Sequence, residues 1–236
     1  LGIIIFTFSF IFVLNVFQSE IKKEPVVNID QDELSKDHIL VKLQITNIDP
    51  VKGDVQIRVI PMPVGKYTND SITLNQDIVF YTNSISGNNE YNFKKGSMIN
   101  PFEVTVDMFD GYLMKYPYDE YSAYLSLYIV STAKDSSGNV IMKEIPAVKE
   151  TNFLTSINGY GVESVKEVEH SSGYTGLLLK LERTYAVKMF ARFIMIIFWL
   201  LTISIIIVMF SIVVRKRKIE FSMFAFLTAM LFALPA

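Results

Sequence analysis

Two patterns of apolar residues divide the chain. In the middle they alternate with polar residues in short runs, and from residue 190 they fuse into one unbroken stretch. Ile39, Val41, Leu43 and Ile45 fall on one face of a two-residue period, which is the signature of a half-buried strand. Residues 55–60 repeat the pattern. Tyr121, Ala123, Leu125, Leu127 and Ile129 do the same against Ser122, Tyr124, Ser126, Tyr128 and Val130. Further strand-like runs occupy 71–82, 103–109, 140–145, 161–168 and 174–184. Asn47-Ile48-Asp49-Pro50, Lys52-Gly53-Asp54 and Asp135-Ser136-Ser137-Gly138 punctuate them as turns. About eight short strands at this spacing, without a helical period, predict an antiparallel β-sandwich, here over residues 39–187.

The apolar stretch 190–214 contains a single charge, Arg192, and three hydroxyls, Thr202, Ser204 and Ser211. As a helix it reaches roughly 37 Å, more than the roughly 30 Å hydrocarbon core of a bilayer. It predicts a transmembrane helix, with Arg192 in its first turn and Lys188 one turn earlier, both placed to meet headgroup phosphates. Only a few residues separate the last strand from it, so a rigid junction is expected. Arg215, Lys216, Arg217 and Lys218 follow in a short loop, 215–220, which the positive-inside rule assigns to the cytoplasm.

A second apolar run, 221–236, predicts another transmembrane helix, cut short by the end of the sequence. Ala225, Ala229 and Ala233 recur on it at a spacing that permits close helix packing. Residues 1–17 predict an N-terminal transmembrane helix. A retained anchor is favoured over a signal peptide because no small-x-small cleavage site precedes Gln18. Residues 18–38 read as a polar connector. The chain starts at Leu1 rather than Met, and both ends are read as limits of the sequence rather than of the gene product. The expected fold is therefore a mainly β extracytoplasmic domain plus transmembrane α-helices, in a multi-pass integral membrane protein.

Composition narrows the chemistry. Half of the 236 residues are hydrophobic and the formal charge is −2, which gives no reason to expect nucleic acid. There are no cysteines, so disulfides, thiol catalysis and cysteine-based zinc sites are excluded. The two histidines, His38 and His170, fall in the connector and beside Ser171-Ser172-Gly173, and are read as surface residues. No nucleophile elbow, Walker loop or paired-histidine zinc motif is present, and neither enzyme activity nor a cofactor is expected. Asn69-Asp70-Ser71 is a glycosylation sequon.

The densest cluster of chemistry is 108–121. Asp110-Gly111 reads as a turn in which Gly supplies a positive φ. Pro117 stiffens the approach to the next strand, and Asp119 is placed to cap the turn through backbone N–H groups. Tyr112, Tyr116, Tyr118 and Tyr121 offer flat amphipathic surface for a membrane or partner edge, or else filling for the core and rim of the sandwich. Asp107, Asp110, Asp119 and Glu120 match no EF-hand spacing, and no metal is expected.

Two blocks carry a family resemblance. Phe109-Asp110-Gly111 with Tyr116-Pro117-Tyr118-Asp119-Glu120-Tyr121 is similar to the aromatic-Asp-Gly turn and Tyr-Pro-Phe-Asp-x-Tyr segment of the DUF4436 membrane proteins. Tyr118 stands where that family has Phe. The second block runs from Leu181-Glu182-Arg183-Thr184 through Lys188-Met189-Phe190-Ala191 and on from Met195 to Trp199. It resembles the family's strand-Arg-Ser/Thr junction and helix entrance, and Leu231-Phe232-Ala233-Leu234-Pro235 resembles a later family segment. The resemblance implies one N-terminal helix, an extracytoplasmic β domain and three C-terminal helices, and no reaction. Tyr116-Pro117-Tyr118-Asp119 also resembles the Phe-Pro-x-Asp of pentameric ligand-gated channel ectodomains, but the loop cysteines and a pore-lining polar helix are missing here.

These features lead to the expectation of a non-enzymatic membrane protein whose β domain binds or positions a partner, as an accessory subunit of a membrane or envelope assembly. Its partners would be the lipid bilayer and other membrane protein subunits. The alternative is a ligand-responsive channel or transporter component.

Overall fold

The computed structural model describes residues 37–134 (without 69 and 71), 140–151, 157, 159–170 and 173–215, together with the isolated positions 11, 15, 225 and 228. Ten strands run in chain order: β1 (His38–Asp49), β2 (Asp54–Val64), β3 (Asp77–Thr82), β4 (Glu90–Phe93), β5 (Phe102–Phe109), β6 (Glu120–Lys134), β7 (Val140–Glu144), β8 (Ala147–Thr151), β9 (Tyr160–His170) and β10 (Tyr174–Arg183). One long helix, α1 (Tyr185–Arg215), follows.

Hydrogen bonds join the strands in the order β4-β3-β6-β5-β2-β1-β8, with β10 also pairing β6 and β9, and β7 pairing β6. Every pairing is antiparallel except β1 with β8, which is parallel and runs from Ile39–Ala147 to Leu43–Thr151. The fold is thus mainly antiparallel β with one long apolar helix.

The alternation read from the sequence sets the inward face. Ile39, Val41, Leu43 and Ile45 of β1 are buried, as are Val55, Ile57 and Val59 of β2 and Val104 and Val106 of β5. On β6 the buried residues include Tyr121, Ala123, Leu125, Leu127 and Ile129, and on β10 Leu177, Leu179 and Leu181; Val130, read as lying on the opposite face of β6, is fully buried too. All of these except Val130 belong to one hydrophobic cluster. Phe80 packs edge-on against Phe93 and Phe102, which closes the core beside β3 and β4.

Several expectations are corrected. Among the described residues the strands number ten rather than about eight. The two that were missed, β4 and β8, are short: Glu-Tyr-Asn-Phe and Ala-Val-Lys-Glu-Thr, with only two apolar residues each. The run expected at 71–82 becomes a strand only at Asp77. Before it, the Asp70 carboxylate caps a turn by accepting from the Ile72 and Thr73 N–H groups and the Thr73 hydroxyl. His38 is a buried residue of β1 rather than a surface residue of the connector, and His170 ends β9.

The helix begins at Tyr185, five residues before the expected 190, and β10 passes to it through Thr184 alone. Among its 31 residues Arg192 is the eighth, so it lies about two turns inside rather than in the first turn. Among the described residues α1 is the single helix long and apolar enough to cross a membrane. The spans expected at 1–17 and 221–236, Lys216, Arg217, Lys218, Ala229, Ala233, the 135–138 turn and the Asn69 sequon lie outside the described residues, isolated positions apart.

Candidate functional site

Period two along β10 places Arg183 on the same inward face as Leu177, Leu179 and Leu181. The same period along β6 places Asp119 two residues outside buried Tyr121. The register makes these two meet: Leu181 pairs with Tyr121 and Glu182 with Glu120, so Asp119 and Arg183 come one step beyond. On the other side of β10, Arg183 pairs with Tyr160 of β9. Three strands thus bring an acid, a base and a phenol into one row at one end of the sheet.

Asp119 is fully buried, and the Arg183 side chain is only 15% exposed. The Arg183 Nε donates to both carboxylate oxygens at 3.1 Å. The Tyr160 hydroxyl donates to Oδ2 at 2.7 Å. The guanidinium carbon lies 3.8 Å from the Tyr160 ring centre and 5.1 Å from that of Tyr116, so two aromatic rings accompany the cation. Burial pushes the Tyr160 phenol far up, the hydrogen bond to Asp119 adds to this, and Arg183 opposes it. The phenol therefore stays a donor throughout the physiological range. The Tyr121 ring packs edge-on against Tyr160 at 5.9 Å, and its buried hydroxyl makes no hydrogen bond. Burial and then the neighbouring Asp119 raise the Tyr121 phenol.

The loop from β5 to β6 leads into this row. Asp110 takes the left-handed conformation (φ 62°), not Gly111 as expected. Aspartate tolerates that region better than most residues. Gly111 is required for a different reason: a Cβ there would sit 1.8 Å from Cδ1 of the Tyr121 ring. A short 3-10 turn, Leu113–Lys115, and a cis Tyr116-Pro117 peptide bring the chain to Asp119.

The four expected tyrosines divide. Tyr112, Tyr116 and Tyr118 are exposed on the loop, while Tyr121 is in the core, and Pro117, between Tyr116 and Tyr118, is buried. Asp119 does not serve as a turn cap, because its carboxylate is held across the sheet by Arg183 and Tyr160. The four acids considered together in the sequence do not converge: Asp119 turns inward, while Glu120 turns outward onto Lys180 at 3.2 Å. Lys188 and Arg192 lie one turn apart on α1, and Arg215 is its last residue. Ala225 is an isolated described position with helical backbone.

Sequence reasoning missed Arg183 and Tyr160. An arginine in phase with three inward leucines was the available signal, since a buried guanidinium calls for a buried counter-charge.

The sequence model of a domain of unknown function (DUF4436) matches residues 29–179. The chain belongs to the DUF4436 family. A second domain of unknown function (DUF8686) matches residues 183–236. No curated protein matches the chain. The Phe109–Tyr121 block lies inside the DUF4436 match. Of the second block, Arg183 onward lies in the DUF8686 match, as does 231–235. The Asp119–Arg183 pair therefore links a residue of the DUF4436 match to the first residue of the DUF8686 match.

Proposed function

We propose that this is a non-enzymatic, multi-pass integral membrane protein whose β domain lies on the extracytoplasmic side and binds or positions another membrane protein, as an accessory subunit of a membrane or envelope assembly. The observation that carries this reading is the locked exit strand. Arg183, the last residue of β10, is held by buried Asp119, and a single residue then separates it from an apolar helix of 31 residues. A capture domain works well on a loose tether, whereas a domain fixed at its point of exit suits positioning.

The length of α1 supports a membrane span, and the further apolar runs 1–17 and 221–236 support additional ones. Arg215 to Lys218 supports a cytoplasmic end after α1. We read the β domain as a sandwich because the inward faces of β1, β2 and β5 meet those of β3, β6 and β10 in one core. The channel or transporter reading has less support, since 193–214 carries no ionisable side chain.

Purification in mild detergent tests the proposal. Stoichiometric recovery of another membrane protein supports it, and a strictly monomeric, partnerless particle refutes it. Orientation is tested separately, because the chain is free of cysteine. An impermeant maleimide on intact cells should label Lys94→Cys, which is exposed between β4 and β5, and leave Lys216→Cys unlabelled; the reverse pattern refutes the topology.

A further inference from the structure

The row formed by Asp119, Arg183 and Tyr160 lies at the end of the sheet where the chain leaves for α1, and two other segments reach the same end. Asp54 pairs with Asp107, and the Met108 N–H donates to the Gly53 carbonyl, so the β1–β2 turn sits beside the start of the β5–β6 loop. The β5–β6 loop is unusually apolar for an exposed turn, and the β1–β2 turn adds Val51. Met114 is 101% exposed, Tyr112 66%, Tyr116 54% and Leu113 46%, and Val51 on the β1–β2 turn is 82%. The Lys115 ammonium lies 5.3 Å from the Tyr112 ring centre. Surface apolar residues are commonplace one at a time, but a contiguous patch at one edge marks a contact surface.

The composition of the patch and its place in the chain select the occupant. Tyrosines flanking a fully exposed methionine, with lysine among them, match the interfacial layer of a bilayer, where amphipathic rings and basic groups are enriched. The Arg183 guanidinium that stacks near Tyr116 belongs to the residue two before Tyr185, so the patch lies close along the chain to the start of α1. The apolar span Tyr185–Val214 has 30 residues. As a helix it is about 44 Å long, the thickness of a bilayer with its headgroup layers. Tyr185 then falls at the outer limit of the headgroups.

We propose that the 112–118 loop and the Val51 turn form a lipid-docking edge, resting in the headgroup layer of the same membrane that α1 spans. Met114 and Leu113 enter deepest, the tyrosine rings lie at headgroup level, and Lys115 meets lipid phosphate. Asp119 and Arg183 hold the loop at that edge. This rests on the reading of α1 as a membrane span.

Fluorescence in proteoliposomes of the full chain tests it. Trp199 is the single tryptophan. In the unchanged protein, its strong quenching by lipids brominated deep in the acyl chain reports the span, whatever the loop does. In a Trp199→Phe background, Met114→Trp should emit at shorter wavelength than in water. It should be quenched by lipids brominated near the headgroup and shielded from aqueous iodide. Met98→Trp, exposed beside β5's other end, should show the opposite, with iodide quenching and no lipid quenching. Met114→Trp quenched by iodide and not by lipid overturns the proposal. Shielding from both quenchers also overturns it, because a protein partner or second copy then covers the loop. Lipid quenching at Met98→Trp as well overturns it too, because the edge is then not singled out. Absence of quenching at Trp199 refutes the membrane-span reading instead.

Discussion

Replacing Asp119 with alanine removes the carboxylate that, among the described residues, balances Arg183 inside the β domain. At 3.1 Å and an effective dielectric of about 20, their attraction is about 5 kcal/mol before desolvation is subtracted. The net worth of the intact pair is small, because burying both charges costs several kcal/mol each. Removing one partner is different. The guanidinium is left with 15% exposure between two tyrosine rings, which offset only part of its lost hydration. Uncompensated buried charges of this kind cost about 3–5 kcal/mol, a large part of a typical domain's stability. Asp119→Ala should therefore lose about that much, and Arg183→Met a similar amount, since it strands a fully buried carboxylate on the Tyr160 hydroxyl alone. The double variant strands neither charge and should cost less than the two single losses combined by about 2 kcal/mol, within the usual range for residues in contact. Urea unfolding of the full chain in detergent, followed by near-UV circular dichroism, reads this directly. Eleven of the twelve tyrosines precede α1 and report the β domain, whereas the single tryptophan sits in α1. If the two losses add to within about 0.5 kcal/mol, the residues act independently and the account of the site is wrong.

Gly111→Ala should cost about 1–3 kcal/mol by forcing the Tyr121 ring out of its place, and the loss should largely vanish in a Tyr121→Ala background; a loss of the same size in both is evidence against the clash. Tyr160→Phe deletes a 2.7 Å hydrogen bond to a buried carboxylate and should destabilise by about 1.5–3 kcal/mol, measured by the same unfolding curve. Asp70 predicts a pH effect: the Thr73 N–H, then the Thr73 hydroxyl and the Ile72 N–H, hold its carboxyl below the ordinary aspartate value of 3.8. The folded state thus binds this proton less readily than the unfolded chain, so the contribution is complete above pH 3.8 and is lost as pH falls through the lower folded value. Asp70→Asn keeps an acceptor for the turn and should flatten that part of the acid melting profile, whereas an unchanged profile would show that Asp70 does not contribute.

The strands were legible where burial is one-sided. Ile39 to Ile45 and Tyr121 to Ile129 alternate because one face meets the core, and the structure buries that same face. β4 and β8 were not legible, because each has only two apolar residues, too few to establish a period. The start of α1 was misplaced because Tyr185, Ala186 and Lys188 resemble a polar junction; helix continuity is decided by backbone hydrogen bonding, not by hydropathy. At the site, the loop was visible as a cluster of tyrosines, but their split was not. Tyr121 differs from Tyr118 only in phase with the strand that begins at Glu120. The ion pair needed the register between β6 and β10, which no local pattern carries. Phase alone would have flagged Arg183 as inward and Asp119 as its inward counterpart on the other strand.

The β domain also does not end where its family match ends. The match stops at Leu179, while the compact unit runs on to Ala186. The residues between are not a linker. Lys180 pairs with Glu120 and Glu163, Leu181 is completely buried in the core, and Arg183 neutralises Asp119. The Thr184 N–H donates to the Gly159 carbonyl at 2.9 Å, fastening the exit strand to the residue that precedes β9. A chain ended after Leu179 would lose a buried leucine, worth about 1.5–3 kcal/mol, and would leave a buried carboxylate uncompensated at about 3–5 kcal/mol. Those losses together rival the whole stability of a typical domain. A chain beginning at residue 29 and ended after Leu179 should therefore show no cooperative urea transition, and one ended after Ala186 should show a sharp one. Equal transitions for the two would mean that Asp119 tolerates burial without Arg183, and that the locked exit strand is not what holds this end of the domain together.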